Sequence, residues 1–327
     1  MNGELSGRFS VQASSDHGQL LTMRPRVLLV VYDPFMDQDK RVRLSQHFQW
    51  QDVGRLVKDY IADIEECSGG LVRYQVVDKI YQDEFPVKAN GFAYTAQSYL
   101  ALWKKRRDRH AMKWIDYYKV LKDWDILARV ESHQIDEVWL FAFPYAGLYE
   151  STMAGWSAFF CNSPPLEKTA SCSRRFVIMG FSYERYGGQM LENFCHRAES
   201  IMRHVYRFVS DEMNPFTRFT RYDLAYPGQA EVGDVHHAPN SLTDYDYSNE
   251  RYVLSRSEDW FNYPNFKGEI REVNCTAWGK DRDCPRDPWT RPHHKWWLKH
   301  LPKVEGYTRG VANNWWKYIV DPELVPI

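Results

Sequence analysis

No stretch of this 327-residue chain stays apolar for long. The longest run, Val27 to Tyr32, is about six residues, against the ~20 that a membrane-spanning helix needs, so no membrane partner is expected. Neither sign of charge dominates: 42 Lys and Arg stand against 43 Asp and Glu, a formal net charge of −1. A basic face for nucleic acid is therefore not expected either. The six cysteines include no C-x-x-C pair, which argues against a zinc knuckle or a thioredoxin-like motif. No G-x-G-x-x-G follows the first strand-like segment and no Walker A sequence occurs, so no nucleotide cofactor is expected. Residues 1–24 lack the continuous apolar centre of a signal peptide and read as a mobile leader.

What the chain has in excess is aromatic side chains. Trp, Tyr and Phe number 13, 21 and 17, or 16% of residues, which together with 44% hydrophobic residues implies a packed globular core. Seven of the 13 tryptophans lie between Trp260 and Trp316. The pairs Trp296-Trp297 and Trp315-Trp316 read as core supplied to a region poor in regular elements, with a saccharide-stacking platform as the alternative. Cys161 with Cys172, and Cys275 with Cys284, bracket short loops that local disulfides would close. Such bridges favour an extracytoplasmic or secreted setting. Asn274-Cys-Thr is a formal glycosylation sequon.

The order of elements reads as α/β. Arg26 to Tyr32 is a continuous apolar run, as in a strand buried on both faces, and Asp33-Pro34 ends it. Residues 51–66 place Val53, Leu56, Val57, Tyr60, Ile61 and Ile64 at helical spacing, and 71–80 reads as a second strand. Residues 92–131 read as mainly helical, with a solvated basic patch at 104–109. Residues 135–143 and 175–182 read as the third and fourth strands, and a long helix runs from Gly187 to about Phe208. The expected fold is α/β, a mainly parallel, Rossmann-like sheet flanked by helices over 25–210. Residues 211–327 form a loop-rich, Trp-rich C-terminal layer packed on that core, not an independent domain.

Ligands in open α/β sheets bind beyond the carboxyl ends of the strands, which directs attention to the segments after each strand. The helix after the fourth strand carries the sharpest pattern. Glu192 and His196 are four residues apart, so both side chains can point at one ion. A third ligand is expected from His236 or His237, with Asp244 and Asp246 as nearby oxygen donors; the ion would be one divalent metal, zinc or calcium. The same spacing also makes ordinary ion pairs on a solvated face. Glu150 and Glu184 each follow a strand and are the expected catalytic carboxylates, either as general base to a metal-bound water or as the acid/base pair of a metal-free glycosidase. Tyr145, Tyr149, Tyr183 and Arg185 are expected to line the substrate cleft, with Asp244 and Asp246 also contacting substrate. Ser182 and Ser157 sit in G-x-S-x patterns that lack the second glycine of a nucleophile elbow, and Cys195 falls on the apolar stripe of the helix. The expected function is a hydrolase acting on a saccharide- or peptide-type polymer, carbohydrate favoured. The alternatives are the glycosidase just described and a non-catalytic carbohydrate-binding module.

Overall fold

The computed structural model describes residues 22–37, 39 and 41–327. Most of the expected leader lies outside the described residues; at its end, Met23 forms a parallel bridge to Val72. A central sheet is built from β1 (Arg26–Tyr32), β2 (Gln75–Gln82), β3 (Glu137–Ala142), β4 (Ser151–Ala154) and β5 (Phe176–Ser182). Its order is β2-β1-β3-β5-β4. The first four strands in that order are parallel, with Val30 opposite Leu140 and Leu140 opposite Gly180; only β4 runs antiparallel, at the edge beside β5. The fold is thus a mostly parallel sheet flanked by helices.

The residue pattern explains this order. β1, β3 and β5 are buried almost throughout, while the edge strand β2 alternates exposed and half-buried residues. Helices α1 (Val53–Cys67), α2 (Gly187–Val205), α3 (Thr290–His300) and α4 (Trp316–Val320) supply cover. The second strand starts later than its apolar pattern suggests, and β4, with its small residues, has no strand signature in the sequence. Residues 92–131 break into short helices at 96–105, 117–123 and 126–131; Arg106, in the basic patch, adopts the left-handed conformation that ends the first of them.

A buried ion pair ties these layers together. Arg197 on α2 meets Glu137 on β3 at 2.7 Å, both almost fully buried. Its Nε and Nη2 donate to the carbonyls of Ile319 and Val320 on α4. Glu137 also accepts from Trp139 Nε1 at 2.7 Å and Tyr74 Oη at 3.2 Å, so both its oxygens are satisfied. The C-terminal tryptophans are core: Trp260, Trp297, Trp315 and Trp316 are all essentially inaccessible, and Phe219 packs edge-on against the first three of them. The six cysteines are buried free thiols, and the expected Cys161–Cys172 and Cys275–Cys284 bridges are not formed. Cys161 instead lies 3.6 Å from Ser151 Oγ, and Cys172 faces the Arg174 carbonyl.

The strand order reverses direction between β1 and β3, the usual place for a ligand crevice. Here that point is filled. Asp33 accepts from the Ser45 amide and hydroxyl, at 2.9 and 2.6 Å, and Tyr183 donates its hydroxyl to the Tyr32 carbonyl. The open space is displaced by one strand, to the ends of β3 and β5.

Candidate metal centre and its cavity

A cavity of about 450 Å³ opens beyond β3 and β5, lined among others by Trp114, Tyr145, Glu150, Glu184, Arg185 and Asn193. Its walls are held by specific contacts. The buried Lys88 ammonium donates to the carbonyls of Lys113 and Tyr145, at 2.7 and 2.6 Å, and so clamps two wall segments together. Gly180 lets the 149–150 backbone lie against β5: an added Cβ would fall 2.1 Å from the Tyr149 carbonyl oxygen, and the Gly180 amide donates to the Glu150 carbonyl. Glu150 therefore has a fixed backbone, and its carboxylate accepts from Asn162 Nδ2 at 2.5 Å.

Both expected carboxylates, Glu150 and Glu184, line this one cavity, as do Tyr145 and Arg185. Tyr149 stands behind the wall, stacked between Trp114 at 4.2 Å and Tyr117 at 5.6 Å. Tyr183 does not line the cleft. Its ring is fully buried and its hydroxyl is used at the β1 terminus, because the strand direction carries it into the filled switch point.

The helix α2 carries the second half of the site. Gln189 and Asn193 face the cavity, while Glu192 and His196 face the loop 233–247. That loop is pinned by several bonds. Glu199 accepts from the Val235 amide, Trp297 Nε1 donates to the Gly233 carbonyl, and Tyr247 donates to the Val235 carbonyl. The Asp234 carboxylate accepts from the amides of His236 and His237, which fixes the backbone of the turn that carries both imidazoles.

Glu192, His196 and His236 converge so that one ligand atom from each lies within 4.8 Å of the others, a cluster that can hold a metal ion. The two Nε2 atoms are 3.0 Å apart, and Glu192 Oε1 is 3.9 Å from His196 Nε2 and 3.6 Å from His236 Nε2. Each imidazole has a carboxylate behind it: Glu199 is 3.4 Å from His196 Nδ1, and Asp244 is 3.7 Å from His236 Nδ1. The Glu199 contact is the backing that orients a ligating histidine with its Nε2 toward the ion, while Asp244 stands beyond hydrogen-bond reach of His236. Burial alone would raise the Glu192 carboxyl, but hydrogen bonding from His236, the neighbouring His294 and the Tyr245 hydroxyl hold it down at about 2. Its anionic form, the ligand form, is thus strongly favoured. The His236 imidazole is raised above its ordinary value chiefly by its bond to Glu192.

His237 is not part of the cluster. It points away, with Nδ1 2.9 Å from Asp234, Nε2 3.3 Å from Asp244, and its ring stacked on Tyr222. Adjacent residues in this turn diverge, so only one of the two histidines reaches α2. Asp246 serves the local turn, accepting from the Leu242 amide and Asn249 Nδ2, and Asp244 is engaged by the two histidines. These carboxylates do not gather into an oxygen cage of the kind calcium requires.

Two further residues stand beside the cluster, and spacing did not assign either to it. Tyr245 lies between the two aspartates of the loop and places its hydroxyl 2.8 Å from Glu192 Oε1 and 3.0 Å from His236 Nε2. His294 on α3 is fully buried; its Nδ1 lies 2.7 Å from the Thr290 carbonyl, and its Nε2 has no hydrogen-bond partner. Only the contact of α3 with α2 brings it near Glu192, and no local pattern in the sequence encodes that contact. Comparison of the chain with protein-family models, curated proteins and solved structures finds no match in any of the three.

Proposed function

We propose that this chain is a divalent-metal-dependent hydrolase, with the ion held by Glu192, His196 and His236 and the substrate in the neighbouring cavity. The observation that carries the reading is the meeting of Glu192 Oε1 and two imidazole Nε2 atoms, with Glu199 behind the His196 imidazole. Two nitrogens and one oxygen suit zinc or a similar first-row ion better than calcium. Such an ion, when bound, supplies a water of lowered pKa as nucleophile. Glu150 is the favoured general base, since it lines the cavity and its charge also reaches Tyr245 on the cluster side. Glu184 and Arg185 face the same space and would position the substrate. The exposed Trp114 and the half-buried Tyr145 offer faces for a saccharide ring, which favours a carbohydrate-type polymer.

The test has two parts. Purified, metal-replete protein is expected to carry about one transition-metal ion per chain and to hydrolyse members of a glycoside, ester and peptide panel, with loss of turnover on chelation. Full activity after complete metal removal would reject the metal mechanism. It would favour a second reading, a metal-free glycosidase, which rests on Glu150 and Glu184 sharing one cavity. In that case Glu150→Gln and Glu184→Gln would each abolish turnover. Saccharide binding without any product would instead favour a binding module.

A further inference from the structure

Tyr245, already placed beside the cluster, extends the metal reading, on which this inference rests. We propose that Tyr245 is a fourth protein ligand, its phenol oxygen occupying in the resting protein the position that a water or substrate must take during turnover.

The geometry carries this. Tyr245 Oη lies 2.8 Å from Glu192 Oε1 and 3.0 Å from His236 Nε2, while the two histidine Nε2 atoms are 3.0 Å apart. The two remaining measured separations, from Glu192 Oε1 to each Nε2, are 3.9 and 3.6 Å. These five span the edge of a tetrahedron with zinc-type bonds, roughly 3.3 Å for metal–ligand lengths near 2.0–2.1 Å. Tyr245 Oη therefore adds a fourth donor atom of the right chemistry on the side of the centre formed by Glu192 and His236.

The backbone supports the same conclusion. Tyr245 is a bulky residue at φ +57°, a left-handed conformation that such a side chain rarely adopts without a reason in its surroundings. Its amide donates to the carbonyl of His236, so the tyrosine is tied directly to one of the ligands it would join. The ring lies 4.5 Å from the His236 ring, yet half the residue is exposed. A phenol presented this way can coordinate and can also withdraw into solvent with little rearrangement of the buried core. On ligation its proton leaves to water and the oxygen binds as phenolate, with no change in oxidation state.

The test uses the whole chain loaded with Cu(II) in place of the natural ion. The wild type is expected to show a visible phenolate-to-copper charge-transfer band. Tyr245→Phe is expected to lose that band, to keep one copper per chain, and to bind Zn(II) about 10-fold more weakly. Tyr222→Phe, whose ring lies on His237 away from the cluster, is expected to keep the band. Stoichiometric copper binding without the band, or a band and affinity unchanged in Tyr245→Phe, would overturn this proposal and leave the three-residue centre standing. Failure of the wild type to bind Cu(II) or Zn(II) would overturn the centre itself and the proposal with it.

Discussion

Glu192 and His196 show what four residues of helical separation achieve and where that stops. The spacing puts both side chains on one face of α2, but an ion needs His236 as well, and the backbone of its turn is fixed by Asp234 and by the Glu199 bond to the Val235 amide. His196→Ala and His236→Ala are each expected to reduce metal content to near zero with little change in the circular dichroism spectrum. Retention of a full equivalent by either variant would remove that residue from the centre. Glu199→Gln leaves the ligands intact but removes the anion behind His196. A metal affinity roughly 10–100-fold lower is expected from competition titration, the range typical of such backing carboxylates. These residues also mark how far the sequence can be read. The Glu192–His196 pair was legible because it is local. The places of Tyr245 and His294 beside Glu192 were not, because a turn in left-handed backbone and a packing of two helices bring them to the site. Asp244 and Asp246 stand out in the sequence by their charge, while the tyrosine between them makes the closer contacts with the cluster. Tyr183 misled in the opposite sense: a tyrosine at a strand end reads as cleft lining, but this one completes the core.

At the level of elements, β1, β3, β5 and α2 were legible from continuous apolar runs and from helical periodicity over 19 residues. The edge strand β4 was not, since its place is set by pairing with β5. The site depends on how these elements are joined. Arg197 links α2 to β3 and to α4, and Arg197→Met would leave the Glu137 carboxylate buried without its cation. Such a change is expected to cost about 3–5 kcal/mol in denaturant unfolding; a loss below 1 kcal/mol would show that water or a rearranged partner replaces the guanidinium. Gly180→Ala presses on the Tyr149 carbonyl and should shift the strand end that holds Glu150. Its expected signature is a fall in turnover several times larger than its effect on metal content. Equal effects on both would mean that cavity and metal centre move as one body.

The molecule as a whole is held by aromatic residues. One hydrophobic cluster runs from Val27 in β1 to Val325 near the C-terminus, through Trp139, Trp260, Trp297, Trp315 and Trp316. Within it lie two fully buried histidines. Burial lowers the His294 imidazole to about 4, and pushes His293, stacked 4.1 Å from Tyr247, well below its ordinary value. In the unfolded chain both titrate near 6.5. The folded form therefore excludes protons that the unfolded form takes up, so the contribution of these two groups is full above about pH 6.5 and is lost as pH falls toward 4. In the metal-free protein the two buried histidines are expected to lower the melting temperature as pH falls below 6.5. His293→Phe, which also removes two ring nitrogens that have no partner, should flatten that decline. An unchanged acid limb in the variant would assign the effect to other groups.

The most direct test of the account is the metal content of the purified chain and of its His236→Ala variant, measured by elemental analysis after equilibration with zinc and removal of excess. The account predicts about one zinc per chain for the wild type and almost none for the variant. Equal metal in the two, or none in the wild type, would contradict a centre built from Glu192, His196 and His236.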